Sequence, residues 1–470
     1  MKKLAVLTLL TAILVFSGNP CHAQPNDYDQ LAKATRALLE KFVEADPTNP
    51  PGNEARIAKL AAERFKAAGI PFELTEFAPG RQNIVARLKG AGTEKPVLIL
   101  AHTDVVGAAN QAWTVPSNKV TEKDGYLYGR GVLDDLGMAA LAVEMLVHLK
   151  TTNQPLRRDV IVALTGDEES GGAGLEYILK NKPGSVDAAF ALNEGGGLAL
   201  GDDGKVKFIS LQVAEKTYQD FELYAKGPTG HSSVPLKDNV IARMGRALAK
   251  LGAYERPARL IPATRAYYLG RAKVEKPPLS TAMHKLATTK GAKLPADALK
   301  VLEADPIQAA NLRTTCVATL VSGGTRVNAL PAEAKATVNC RILPDETKEQ
   351  IKADLAKVIG DPAIEIKMPE EVPGGPASDL QNEAPVAIEK TAQKFWPGLP
   401  LIPTMSRGAT DSRFLRARGI PAYGIIPMPV NEQDARRAHG IDERIPAASI
   451  RTGVEYLHHL LQELAGAKNK

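Results

Sequence analysis

Apolar residues along this chain recur at two spacings, and the changes from one to the other predict its architecture. Over residues 27–46, Leu31, Leu38, Leu39, Phe42 and Val43 fall on one face of a helix. The turn Pro47-Thr48-Asn49-Pro50-Pro51-Gly52 ends that helix, and residues 54–68 predict a second. Strand-like runs follow at 72–77, 83–88, 96–101 and 160–164, with a long helix at 137–150 between the last two. Strands alternating with helices predict an α/β domain with a largely parallel mixed sheet.

Around residues 218–225 the pattern becomes strict alternation, Phe221-Glu222-Leu223-Tyr224-Ala225, which predicts a sheet with one wet face. A helix at 239–251, a Lys/Ala-rich helical stretch to Asp305, two β-like runs at 314–321 and 334–343, and a helix at 348–358 complete this block. It predicts an inserted α+β domain over residues 217–369, followed by a return linker rich in proline, glycine and glutamate. Residues 24–216 and 370–470 then form the two parts of the first domain.

The opening residues change the picture of where the chain works. Lys2 and Lys3 precede an apolar stretch over 4–18, and Cys21-His22-Ala23 offers a small-residue cleavage site. Residues 1–23 are expected to be a signal peptide, giving an exported chain, periplasmic or secreted, with no membrane anchor after cleavage near Ala23. The 470 residues carry a net charge of +6, and no basic tract with interleaved aromatics occurs, so no nucleic-acid partner is expected. Cys316 and Cys340 lie in the two β-like runs, which fold antiparallel about Asn328 and set the cysteines opposite each other. An export compartment permits a cross-strand disulfide, and two buried thiols are the equal alternative.

The chemistry collects at strand ends. Val97-Leu98-Ile99-Leu100-Ala101 runs into His102-Thr103-Asp104, which puts a histidine where open α/β sheets place their sites, with Asp104 spaced to orient its ring. Alone, His102 reads more readily as a satisfied core histidine. Gly129-Arg130-Gly131-Val132-Leu133-Asp134-Asp135 precedes a helix, so its acids suit either a cation or a helix cap. Val160-Ile161-Val162-Ala163-Leu164 ends in Asp167-Glu168-Glu169, paired carboxylates that can divide metal holding from proton transfer. Glu194, in Asn193-Glu194-Gly195-Gly196, and His439, in His439-Gly440-Ile441-Asp442-Glu443, are ordinary loop residues taken singly. Two histidines and three carboxylates, however, form a donor set for two zinc ions about 3.5–4 Å apart.

In that order these motifs resemble the co-catalytic di-zinc metallopeptidases that include glutamate carboxypeptidase, aminoacylase, carnosinase-type dipeptidases and succinyl-diaminopimelate desuccinylase. The resemblance covers residues 27–464, essentially the whole mature chain. It implies a catalytic domain with helices on both faces of its sheet and an inserted lid or dimerisation domain. It implies that His102 and Glu194 hold one zinc, that Glu169 and His439 hold the other, and that Asp134 bridges them. Asp104 would orient His102, Glu168 would be the general base, and the Asp134–Asp135 peptide is a candidate for cis. Leu136 departs from the family, where many members carry lysine. In Gly230-His231-Ser232-Ser233, His231 matches the lid histidine that stabilises the oxyanion, acting in cis or from a second subunit. Asn328, Arg341, Gly408 and Arg413 match substrate-contacting positions, Arg341 suiting a free carboxylate or, alternatively, a surface ion pair.

The implied activity is hydrolysis of a small peptide or an N-acyl amino acid near a free carboxylate, with two zinc ions, or cobalt or manganese, as cofactors. A zinc aminopeptidase is the nearest rival, against which the presence of a lid argues; a non-catalytic binding protein would show lost ligands, and none is lost. Helical material over 254–312 leaves open a homodimer through the lid or a monomer whose enlarged lid covers that surface. His148, His284, His458 and His459 fall outside every motif and read as structural.

Overall fold

The computed structural model describes residues 25–467 apart from residue 292; the expected signal peptide, residues 1–23, lies outside the described residues. The chain opens with helices α1 (Pro25–Glu44) and α2 (Glu54–Ala67) and a hairpin, β1 (Phe72–Ala78) and β2 (Arg81–Leu88). Then come β3 (Glu94–His102), α3 (Leu136–Thr151), β4 (Arg158–Thr165), α4 (Ala173–Asn181), β5 (Phe190–Leu200) and β6 (Val206–Glu215). The inserted block contains β7 (Thr217–Lys226), α5 (Val240–Ala253), α6 (Pro262–Arg271), α7 (Leu279–Thr288), α8 (Ala296–Glu303) and α9 (Pro306–Asn311). It continues through β8 (Thr315–Gly323), β9 (Glu333–Ile342), α10 (Lys348–Ile359) and β10 (Ile364–Lys367). The chain returns with α11 (Glu383–Phe395), β11 (Leu401–Ser406), α12 (Ser412–Ala417), β12 (Ala422–Asn431) and α13 (Ala448–Ala465).

Eight strands form the central sheet in the order β11-β6-β12-β5-β3-β4-β2-β1. The four central strands, β12, β5, β3 and β4, are parallel; β2 and β1 add antiparallel at one edge, and at the other β6 runs antiparallel to β12 while the outermost β11 is parallel to β6. The continuous apolar runs of β3 and β4 follow from burial on both faces. Val97, Ile99, Val160 and Val162 face a core shared with α1, α2, α3 and α13. Leu98, Leu100, Ile161 and Ala163 face a second core with α4 and α12. Parallel strands end on the same side of the sheet, so His102, at the end of β3, pairs in register with Thr165, at the end of β4.

The lid sheet is antiparallel, in the order β8-β9-β7-β10, with α5 and α10 covering one face through Met244, Ile351 and Leu355. The alternation noted along β7 puts Phe221, Leu223 and Ala225 in that core. Cys316 lies directly opposite Cys340, and the two sulfurs are bonded, which decides between the disulfide and the two thiols. Helices α6–α9 build a small core of their own around Tyr268, Met283, Leu286 and Leu302. Helix α6 lies on β11 of the central sheet, so closely that a Cβ on Gly270 would come within 3.0 Å of Ile402. The insertion therefore leans on the first domain and leaves the lid's edge strand β8 bare, with Val317, Leu320 and Val321 exposed. No helix among the described residues is long and apolar enough to cross a membrane.

Denatured but unreduced protein is expected to take up no thiol reagent at Cys316 or Cys340, and to be labelled at both after reduction, read by mass spectrometry. Replacing both cysteines with alanine should lower stability in chemical denaturation by roughly 3 kcal/mol through lost loop closure.

Candidate metal centre

Asp134 stands at the middle of the cluster. Its Oδ1 lies 2.9 Å from His102 Nε2, and its Oδ2 lies 3.2 Å from His439 Nε2. Glu194 approaches His102 Nε2 at 3.9 Å, and Glu169 approaches His439 Nε2 at 3.0 Å. One carboxylate thus faces two imidazoles, each with its own further acid. Ligand-capable atoms of His102, Asp134 and Glu169 lie within 4.8 Å of one another, and so do those of His102, Glu168 and Glu194.

Three supports fix these side chains. His102 Nδ1 meets the Asp104 backbone oxygen at 2.9 Å, whereas the Asp104 carboxylate is 3.7 Å away. Asp104 therefore orients the imidazole chiefly through its carbonyl, a correction to the expected side-chain contact. Its carboxylate instead accepts the Glu168 and Glu169 backbone N–H groups at 3.0 and 3.2 Å and the Asn49 amide at 2.8 Å. The second support is Glu443, which accepts the backbone N–H groups of Leu133 and Asp134 and pairs with Arg130 at 2.6 Å. Arg130 also donates to the carbonyls of His439 and Gly440, so one buried ion pair ties the Asp134 turn to the His439 loop. Third, the Asp134–Asp135 peptide is cis, as the resemblance implies.

Four carboxylates with two imidazoles make an electrostatically expensive group. Burial, reinforced by Asp134 and Glu168, pushes Glu194 well above the usual carboxylate range. Burial also raises Glu168, against the pull of His102 and with Asp411 and Glu169 adding to the rise. Hydrogen bonds to Asp134 and Glu169 lift His439 to about 10. Burial alone would lower His102, but the Asp134 hydrogen bond and the Glu194 charge carry it well above the histidine range. Glu169 Oε1 is buried without a hydrogen-bond partner. Excess buried negative charge, protons drawn onto both imidazoles and an orphaned carboxylate oxygen all fit divalent cations, whose binding displaces such protons.

The remaining expected residues are placed differently. His231 is exposed on the lid in a two-residue ladder with Ala329, and its ring contacts Ser233 rather than the acid cluster. Asn328 is beside it, its carbonyl accepting the Ser232 N–H. Arg341 stacks on Tyr218 at 4.8 Å and has no ion pair among the described residues. Gly408 is exposed, its N–H on Ser406 Oγ. Arg413 is buried and donates to the Gly171 carbonyl at 2.7 Å, a contact that braces the acidic loop. Asn49, Arg130, Glu215, Arg416 and Glu443 were not anticipated. Glu215 pairs with buried Arg416 at 3.0 Å and receives both Thr410 hydrogen bonds, anchoring the Gly408 loop. His458 packs between helices against both Tyr28 and His148.

Residues 98–463 match peptidase family M20/M25/M40. The chain belongs to this family. It is 29% identical over 378 residues to the human N-fatty-acyl-amino acid synthase/hydrolase PM20D1, covering 78% of this chain and 74% of that protein. Its fold resembles the M20 family metallo-carboxypeptidase Sso-CP2 of Sulfolobus solfataricus, with a TM-score of 0.68 and 20% identity over 91% of this chain and 98% of the other. It also resembles aminopeptidase PepT of Bacillus cereus, at a TM-score of 0.63 and 17% identity over 92% and 98% of the two chains.

Asp134→Asn should abolish retention of both metal equivalents in equilibrium dialysis, because its two oxygens serve both halves of the cluster. Arg416→Ala should cost about 3–5 kcal/mol in chemical denaturation by leaving Glu215 buried and unpaired.

Proposed function

We propose that this chain is an exported di-zinc hydrolase of N-acyl amino acids or small peptides, cleaving an amide beside a free carboxylate. The observation that carries the metal count is Asp134, whose two oxygens face His102 and His439 separately. Similarity to an N-fatty-acyl-amino acid hydrolase over most of both chains favours the N-acyl amino acid substrate. The apolar segment at 4–18 supports export, and the disulfide fits an oxidising compartment.

His102, Glu194, Glu169, His439 and the shared Asp134 would hold two zinc ions, whose chemistry there would be to acidify a water and polarise the substrate carbonyl. Glu168, beside the Glu169 ligand and held by Asp104 through its backbone, takes the proton of the attacking water and delivers it to the leaving amine. His231 supplies a donor to the oxyanion once the lid surface meets the site. The bare β8 edge supports a homodimer through the lid, because an exposed apolar strand edge favours pairing with a second copy.

Glu168→Ala is expected to lower kcat on N-acyl amino acids by at least about 10²-fold while two metal equivalents stay bound, since no step but the proton transfer loses its group. An active Glu168→Ala enzyme would overturn the mechanism. A wild-type metal-loaded enzyme that hydrolyses only substrates with a free N-terminus would instead support the aminopeptidase reading.

A further inference from the structure

Three acids stand in a row on the loop after β4, Asp167, Glu168 and Glu169, and only the first is paired with an arginine or lysine among the described residues. Its partner is Arg81, the first residue of β2. Arg81 Nη1 donates to Asp167 Oδ1 at 2.8 Å, while its Nε reaches Glu54 Oε2 at 3.0 Å and its Nη2 meets Glu54 Oε1. Glu54 opens α2 and is fully buried. The guanidinium has little room to move: its carbon lies 5.1 Å from the Phe77 ring centroid, and a Cβ on Gly52 would come within 2.2 Å of Nε. A planar fork with carboxylates on two of its edges is a fixed part of the structure, unlike a surface ion pair.

What Arg81 holds is the residue on which the rest of the loop hangs. Asp167 has a left-handed φ of 72°, which few residues other than glycine adopt. Its carboxylate also accepts the Asn49 amide at 3.1 Å and the N–H of Ala173, which begins α4. Its carbonyl accepts the N–H groups of Ser170, Gly171 and Gly172. The same Asn49 amide donates to Asp104, the acceptor of the Glu168 and Glu169 N–H groups. Two residues along β2, Asn83 accepts the Gly166 N–H and donates to the Gly174 carbonyl, closing the loop at both ends. Glu168 and Glu169 therefore take their direction from a frame built on the charge of Asp167, which Arg81 answers.

We propose that Arg81, with Asn49, is a positioning residue for the metal centre: its grip on Asp167 sets how Glu168 and Glu169 enter the site. The role rests on the hydrolase reading above and adds to it two residues that act through others. Without the guanidinium, Asp167 keeps a largely buried charge beside two further acids, and repulsion within the row favours a different turn. That turn moves the Glu169 oxygens relative to His439 and the Glu168 carboxylate relative to the centre of the cluster. A displacement of about 1 Å at such groups costs turnover on the order of 10²-fold. Neither Arg81 nor Asn49 binds substrate in this reading, so KM carries no such loss.

The test uses the double variant Arg81→Met/Glu54→Gln, whose second change removes the acid that the first would strand. Glu54→Gln alone is the control, since it keeps Arg81 on Asp167. On the full chain with excess zinc, the double variant should lower kcat for N-acetyl amino acids about 10- to 100-fold and leave KM within about twofold. In equilibrium dialysis it should hold one zinc equivalent as the wild type does and the other about tenfold or more weakly. The control should lose stability in chemical denaturation yet keep kcat and both zinc affinities within about twofold. Arg81→Lys in the Glu54→Gln background should recover part of the turnover, because an ammonium restores the charge without the fork. Asn49→Ala strands no cation and tests the role where the double variant does not fold; it should show the same two losses at about threefold. A folded double variant that matches its control in kcat and in both zinc affinities would overturn the role, and so would an unchanged Asn49→Ala. A wild type that hydrolyses none of these substrates would overturn the hydrolase reading beneath, and the zinc affinities would still decide whether Arg81 positions the loop.

Discussion

Four carboxylates, Asp134, Glu168, Glu169 and Glu194, share one desolvated space with two imidazoles, and much of the surrounding fold restrains that charge. Moving several acids out of water costs several kcal/mol each unless cations or hydrogen bonds answer them. The chain answers partly with geometry. Asp104 collects two backbone N–H groups and Asn49, which fixes where Glu168 and Glu169 begin. Glu443 and Arg130 do the same for the Asp134 turn and the His439 loop. What remains is a set of acids that burial drives to hold protons and two imidazoles that draw protons onto themselves, and divalent cations are the chemical complement that would displace those protons.

The sheet explains why such a cluster can form at all. Parallel strands buried on both faces can only be apolar along their length, so polar residues appear where they end. β3 and β4 end in adjacent register, and their continuations deliver His102 and the Glu168–Glu169 pair to one crevice. Helix α3, which begins just after the cis Asp134–Asp135 peptide, is buried along nearly all its length. Its packing therefore locks the direction from which Asp134 enters.

The same logic separates what could be read in the sequence from what could not. Apolar runs ending in His102 and in Asp167-Glu168-Glu169 carry both strand and site in a few consecutive residues, and the order of motifs supplies the ligand pattern. Alternation along β7 announces the lid sheet, and the two cysteine runs announce that Cys316 and Cys340 face each other while leaving open whether they bond. The misses are residues whose partners are distant in sequence. Glu443 serves Arg130 from 313 positions away, and Glu215 serves Arg416 from 201. Arg413, matched by motif to a substrate-contacting position, has its guanidinium on the Gly171 carbonyl, a contact across 242 positions that its neighbours in sequence do not announce. Asp104 was assigned the right partner through the wrong atom, since H-x-D spacing does not distinguish a carboxylate from a carbonyl two residues on.

The lid adds a constraint of its own. It is joined to the central sheet through the hinge at Lys216 and the return linker, and its helical insertion adds a third connection where α6 packs on β11. Packed helix–strand contacts resist sliding because interiors are dense and side chains interlock. A lid held at three places has less freedom to swing His231 down onto its own chain's cluster. His231 and Asn328 lie on an exposed surface, and the β8 edge is bare and apolar. Both features support the reading in which a second copy supplies the oxyanion donor.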